Sequence, residues 1–324
     1  MRKTSYTAVK AVFVAAVSLA AIAWAERPSG TPDCEFTGGA FYRSNNTLYL
    51  ESFNTESAAV EITSSAKMCV SERANKPYKV VVERNTKLAV NSTIVLPLDY
   101  SLKNDCSQLY EPVQMGKDKD GKWNFTAKNA KGDGNAKKPM LLITDTEKEA
   151  CKDVKEITFT TNSDLDDTPA QHLITDVQIY NKETGKSDWD LVGTYSYVKW
   201  EEGHSDLGSI YGYAAKDKGA VMAGQFVKVG TGAYVAPLRA YLKYIGDSKS
   251  LLKSAAPAPA DIELPESIEV RLVDSDGDLT GIAKWNMATG EITKVNGWYD
   301  LNGRKLNKKP ENKGMFVGKK TIRK

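Results

Sequence analysis

Short apolar runs of period two, broken repeatedly by Gly, Asn, Asp and Pro, run through most of this chain and leave it little to fold into except sheets. Thr47–Leu50 and Ala59–Ile62 read as strands around a polar connection, and Tyr78–Glu83 as another. In Thr93–Leu98 (TIVLPL) Pro97 has no N–H, so the run belongs at a sheet edge or a strand end. Lys117–Lys122 (KDKDGK) contains Asp-Gly, a strong hairpin signal, with Trp123 and Phe125 following on one face. Met140–Ile143, Glu156–Thr160 and Leu173–Tyr180 continue the pattern. Asp190–Trp200 reads as one long strand, with Val192, Thr194, Ser196, Val198 and Trp200 facing one way and Tyr195, Tyr197 and Lys199 the other. Gln225–Val229 and Tyr234–Tyr244 come next, then a brief helical stretch over Ser248–Ser254. The expected class is all-β, with a sandwich or jelly-roll-like main region.

The N-terminus obeys a different rule. Arg2, Lys3 and Lys10 precede an apolar run from Ala11 to Ala23 that is too short to cross a bilayer comfortably. Ala23-Trp24-Ala25 then supplies small residues around a cleavage point, making residues 1–25 a secretory signal peptide cut between Ala25 and Glu26. The alternative is an uncleaved anchor helix, which the short run and its small-residue end disfavour. No later stretch approaches spanning length, so no transmembrane span is expected after cleavage.

Removing that segment changes the electrostatics. The whole chain carries 44 basic and 41 acidic residues. All the charges in the first 25 residues are basic (Arg2, Lys3 and Lys10), so the remainder is close to neutral and offers no case for nucleic-acid binding. The neutrality is uneven: from Val295 onward basic residues greatly outnumber acidic ones, and the rest of the mature chain is acidic by the same margin. Such polarity fits a separate basic terminal module. The organisation expected is a signal peptide at 1–25, a β-rich main region at 26–246 (divisible at 76/77), a Pro/Ala linker at 247–266 built around SAAPAPA, and a C-terminal module at 267–324.

Cys34, Cys69, Cys106 and Cys151 form an even set in a chain marked for an oxidising compartment, so disulfides are expected. Three pairings are open; the sequential one would close loops of about 35 and 45 residues, each contributing roughly 2–4 kcal/mol. No Cys-x-x-Cys spacing exists and His172 and His204 are the only histidines, so no metal and no cofactor are expected.

Catalytic signals are weak. Asp164, Asp166 and Asp167 share one loop, Asp188 and Asp190 a turn, and Glu201 and Glu202 precede Gly203-His204. A glycosidase needs two carboxyls on opposite sides of a sugar bond, and acids in polar loops are ordinarily solvated turn residues. No Gly-x-Ser-x-Gly elbow is present, and neither Gly-x-Gly (Gly132 to Gly134, Gly230 to Gly232) leads into a helix. In Asp274-Ser275-Asp276-Gly277-Asp278 the glycine falls at the wrong place for a calcium loop, so a tight turn accounts for it. The expectation is a non-enzyme, with a small secreted hydrolase as the alternative.

Aromatic residues carry the best binding signal. Trp189, Tyr195, Tyr197, Trp200, Tyr211 and Tyr213 lie close in sequence, and Trp and Tyr faces stack on sugars at low side-chain entropy cost. The competing reading makes them core. The alternation assigns Trp200 to the core and leaves Tyr195 and Tyr197 partly exposed, so Trp189, Tyr195, Tyr197, Tyr211 and Tyr213 are the candidate ligand-binding residues.

Two resemblances add to this. Trp298-Tyr299-Asp300-Leu301-Asn302-Gly303-Arg304-Lys305-Leu306, then Lys313-Gly314-Met315-Phe316-Val317, then Gly318-Lys319-Lys320 and a basic end resemble the C-terminal sorting domains of type IX secretion cargo. One departure is that Val317 runs directly into Gly318-Lys319-Lys320, shortening the last hairpin. The resemblance implies a small β-sandwich read by the secretion machinery through Trp298, Tyr299, Asp300, Gly303, Arg304, Gly314, Lys319 and Lys320. It also implies an extracellular or outer-membrane-surface destination in a Gram-negative bacterium, with polysaccharide or surface lipopolysaccharide as further partners. The strings TIVLPL, KPMLLI (from Lys138), VGTYSY (from Val192), YGYAA (from Tyr211), FVKVG (from Phe226) and PLRAYL (from Pro237) resemble β-rich regions of exported, largely uncharacterised surface proteins. That likeness implies a shared fold unit and brings no catalytic residue. The function expected is adhesion, glycan binding or a cell-envelope role.

Overall fold

The computed structural model describes residues 30–103, 105–168, 175–219, 221–246 and 264–274, together with six short strands beyond residue 282. The expected signal peptide with its Ala25/Glu26 junction, most of the expected 247–266 linker with its helix at Ser248–Ser254, and His172 lie outside the described residues. The strands in order are β1 (Cys34–Phe36), β2 (Gly39–Tyr42), β3 (Thr47–Ser52), then helix α1 (Ser64–Arg73), β4 (Tyr78–Arg84), β5 (Asn91–Ile94), β6 (Tyr100–Leu102), β7 (Ser107–Lys117), β8 (Trp123–Asn129), β9 (Asp133–Gly134), β10 (Met140–Thr144) and β11 (Glu156–Thr161). They continue with β12 (Thr175–Asn181), β13 (Lys186–Thr194), β14 (Val198–Lys199), β15 (Ile210–Tyr213), β16 (Gln225–Lys228), β17 (Tyr234–Val235), β18 (Arg239–Tyr244) and β19 (Ser267–Val273). The chain is predominantly β, as its patterning requires.

Two sheets dominate. One has seven strands in the order β1-β2-β3-β4-β11-β6-β9. The other runs β12-β13-β18-β15-β16-β19-β8-β7 and closes on itself, because Tyr180 and Asn181 of β12 pair in parallel with Gln114 and Met115 of β7. The result is an eight-stranded barrel. Strand β7 is long enough to serve two neighbours on one edge: its first half pairs with β10, which pairs with β5, and its second half with β12. Pro112, which cannot donate to a ladder, sits where the β7–β8 register shifts. The hairpin between them turns at the expected Asp-Gly, with the Gly121 N–H donating to the Asp118 carbonyl.

Two large cores follow from this layout. The first unites the inner faces of β3, β4 and β11 with Ile94, Leu109, Met140 and Leu142 from the β5–β10–β7 wing. The second fills the barrel: Phe125, Trp189, Tyr211, Phe226, Leu242 and Ile268 come from six different strands and are essentially inaccessible. A smaller cluster on the outside of the barrel packs Trp200 on Tyr241, Val192 and Ile210. Strand β13 is therefore buried on both faces, which no alternation rule can report.

Four departures from the sequence reading have physical causes. Asp190–Trp200 is not one strand: β13 stops at Thr194, whose hydroxyl donates to the Ser196 carbonyl and accepts the Ser196 N–H, turning the chain. Tyr234–Tyr244 likewise splits, with Leu238 at φ 60° between β17 and β18. Helix α1 was not expected. Thr63 caps it by accepting the Ala66 N–H, and it buries only Ala66 and Val70, one turn apart. Last, Ser267–Val273, which the sequence reading placed in the C-terminal module at 267–324, is β19 of the barrel, antiparallel to β16 and parallel to β8.

Both disulfides adopt the sequential pairing, Cys34–Cys69 with Cα atoms 6.0 Å apart and Cys106–Cys151 at 5.5 Å. The first ties α1 to β1. In the tail, Ala283–Trp285 pairs with Ile292–Lys294, and Trp298–Tyr299 lies between Lys305–Leu306 and Phe316–Val317. Phe316–Val317 also pairs with Ile322–Arg323. Asp300, Gly303, Arg304, Gly314, Lys319 and Lys320 lie outside the described residues.

Candidate functional site

Stacking on a sugar needs an open ring face, and the barrel closes most of the candidates. Trp189 and Tyr211 are barrel core, 5.5 Å apart between ring centroids. Tyr195 is 2 % exposed and belongs to the other large core. Burial pushes its hydroxyl well above the usual phenol range, and that hydroxyl has no hydrogen-bond partner among the described residues. These three residues offer no platform. Tyr213 is half-buried against the barrel interior, and its hydroxyl donates to Asn91 Oδ1 at 3.3 Å. The assignment of Tyr195 to the solvent side fails because the turn at Thr194–Ser196 breaks the alternation on which it rested. Trp200 is core, 1 % exposed.

Tyr197 is partly exposed, and it has a partner that sequence reasoning missed. Its ring stacks on Tyr234 at 5.3 Å between centroids with 21° between planes. Tyr234 is 50 % exposed. Strands β14 and β17 hold the pair: Val198 and Lys199 are in register with Val235 and Tyr234, the Trp200 N–H donates to Ala233, and the Tyr197 N–H donates to Ala58. The turn Gly230-Thr231-Gly232 swings residue 234 out of the barrel toward β14. That Gly-x-Gly followed by Ala-Tyr was the available signal, because a turn so close ahead separates residue 234 from the strand that runs to Tyr244.

Charge rims the pair. Lys199 Nζ lies 2.9 Å from Glu56 Oε1 and 2.7 Å from Glu201 Oε1. These hydrogen bonds raise the Lys199 ammonium above its usual range, and the bond from Lys199 holds the Glu56 carboxyl below its own. The rim thus keeps both signs of charge at neutral pH.

Several carboxylates of these loops and turns have partners of their own. Asp164 accepts from Lys76 at 2.7 Å, Asp166 lies 3.4 Å from Lys137, and Asp167 accepts from Ser64 at 2.9 Å. Asp188 accepts from Asn181 and Thr184, Asp206 from Lys243 at 2.8 Å, and Glu201 from Lys199. His204 is exposed, and its Nδ1 accepts the Asp206 N–H within a turn. A shallow depression of about 280 Å³ is lined by Leu102, Ser107, Gln108, Asn129, Lys131 and Gly132, but Gln108 there already accepts from Tyr110 and Asn129. Among the described residues no group of His, Cys, Asp and Glu is arranged to hold a metal ion, and no helix is long and apolar enough to cross a membrane.

Compared with family models, curated proteins and solved structures, the chain finds no match in any of the three.

Proposed function

We propose that this chain is an exported, non-catalytic β-protein of the cell surface that holds a saccharide on the Tyr197–Tyr234 pair. One observation carries the reading: two tyrosines stacked face to face, one of them half exposed, at a site fixed by backbone bonds and rimmed by Lys199, Glu56 and Glu201. A stacked pair loses little side-chain freedom when a sugar ring settles on its outer face, and the rim supplies donors and acceptors for hydroxyls. Of the acids weighed for a hydrolase, Asp164, Asp166 and Glu201 pair with lysines, and Asp167 and Asp188 accept from hydroxyl or amide donors, which favours the non-catalytic reading. In fold terms, the seven-stranded sheet facing the β5–β10–β7 wing is the sandwich-like part of the main region, and the short strands beyond residue 282 belong to a small C-terminal β-sandwich.

Export is supported by the leader at residues 1–25, by two disulfides in a chain with no other cysteine, and by the likeness of the tail to type IX sorting domains. The secretion machinery would read the tail, and the destination is the extracellular or outer-membrane surface. Binding to a panel of insoluble polysaccharides tests the site. The mature chain should be retained on at least one polysaccharide, and Tyr197→Ala/Tyr234→Ala should release it. Retention of the double variant equal to that of the parent would remove the tyrosine pair from the account.

A further inference from the structure

Two guanidinium groups, at Arg84 and Arg239, carry buried nitrogens with no acidic partner among the described residues. Arg84 ends β4 and is 2 % exposed. Its Nη1 donates to Ser92 Oγ at 2.7 Å and its Nη2 to the Thr93 carbonyl at 3.1 Å. A guanidinium has five N–H groups. Those two bonds leave three, and Nε is buried with nothing to donate to. Arg239 opens β18 half-buried, and its Nε is likewise buried without a partner.

The backbone brings the two together at the seam between the seven-stranded sheet and the barrel. Thr93 Oγ1 donates to the Ala240 carbonyl at 3.0 Å and accepts the Ala240 N–H at 2.8 Å. The Val95 N–H donates to Leu238. Ser52, which is in register with Arg84, donates through Oγ to the Pro237 carbonyl at 2.6 Å. So the residues flanking Arg239 are bonded to those that flank or hold Arg84. Burial, and then the charge of Arg239, press the Arg84 guanidinium well below its usual pKa, and burial lowers that of Arg239. Arginine nevertheless stays protonated in proteins. Two like charges removed from water strongly destabilise a fold unless a counter-charge meets them.

We propose that Arg84 and Arg239 form a binding site for a small oxyanion (sulfate, phosphate or carboxylate), entered from the half-buried Arg239 side. The planar forks of two guanidiniums match the oxygens of such a group and bind them in pairs. A free inorganic anion and the acidic group of a saccharide present the same chemistry, and the test separates them. The site does not depend on sugar stacking at the tyrosine pair.

The experiment is thermal unfolding of the full chain in sulfate, phosphate or an oligouronate, with ionic strength held constant by chloride. The expected result is an unfolding temperature that rises and saturates with one of these anions. Arg239→Gln should raise the half-saturating concentration about tenfold or more, the loss of one charge-assisted contact. Arg239→Lys, which keeps the charge without the fork, should fall between. Arg84→Gln removes two bonds that hold β5, so Arg239 carries the test. Saturation by inorganic anions that Tyr234→Ala leaves unchanged assigns a free ion. Saturation by the oligouronate alone, weakened by both Arg239→Gln and Tyr234→Ala, assigns a sugar-borne acid. No response to any of the three, or a linear response equal in parent and Arg239→Gln, would overturn the proposal.

Discussion

Cutting the chain before β19 should open the barrel. Among the described residues strand β19 alone links β16 to β8, joined in register to both through Gln225–Val227 and Asn124–Lys128. Ile268 is fully buried and Val273 nearly so, each worth roughly 1.5–3 kcal/mol of burial. Ladder bonds on both edges add about 0.5–1.5 kcal/mol net apiece. The segment also supplies the Pro265 carbonyl to the Tyr211 hydroxyl at 2.7 Å, and Arg271 to Asp118 at 3.2 Å. Together these come to something on the order of 5–10 kcal/mol, an upper figure because unfolded chains already bury some surface. A domain's whole stability is about 5–15 kcal/mol. Two chains starting at Glu26, one ending at Gly246 and one at Asp274, should differ sharply in chemical denaturation. The longer should unfold in one cooperative transition near the midpoint of the full mature chain. The shorter should lose that transition and expose Phe125 and Phe226 to a hydrophobic dye. Equal midpoints for the two would refute the reasoning and return β19 to the tail.

Further outcomes follow from single sites. Replacing Cys106 and Cys151 by Ser releases a loop of 45 residues and should lower stability by about 2–4 kcal/mol, read by denaturation of oxidised parent and variant. Gly38 sits at φ +72° with an added Cβ overlapping the Ala59 carbonyl, so Gly38→Ala should cost more than about 2 kcal/mol in the same assay. Glu156 faces Glu83 across the β4–β11 ladder, and burial first, then that neighbour, raise its pKa. A carboxyl with a raised folded pKa stabilises most below its unfolded pKa, and that contribution disappears as pH rises through the folded value. Glu156→Gln should therefore stabilise at neutral pH by less than about 1 kcal/mol, with the gain vanishing as pH falls below about 4. A gain that persists in acid would contradict this.

The β class was legible because a sheet with one wet face alternates, and β11 alternates cleanly between buried and half-buried residues. The same rule misled at β13, where the closed barrel covers one face and the excursion carrying Trp200 covers the other. Period-two reading places residues on faces but cannot say that both faces are dry. Tyr195 shows a second limit: past the hydroxyl-mediated turn at Thr194 the strand has ended, and the ring enters the other large core, where alternation no longer places it. Helix α1 escaped because a ten-residue helix that buries two small side chains and is tied by a disulfide needs little amphipathic stripe. The place of β19 was not readable, since a strand that returns after a linker carries no local mark of its neighbours. Tyr197 was legible as a partly exposed ring, but Tyr234, thirty-odd residues away along the chain, reaches it only through β14–β17 pairing.

The measurement closest to the central claim is a glycan array probed with the mature chain, with Tyr197→Ala/Tyr234→Ala, and with Tyr195→Phe as a control for a buried tyrosine. The account predicts saccharide binding by the parent and by Tyr195→Phe, and its loss in the double variant while the unfolding midpoint holds. Binding that survives the double substitution, or no binding by the parent to any glycan, would contradict it.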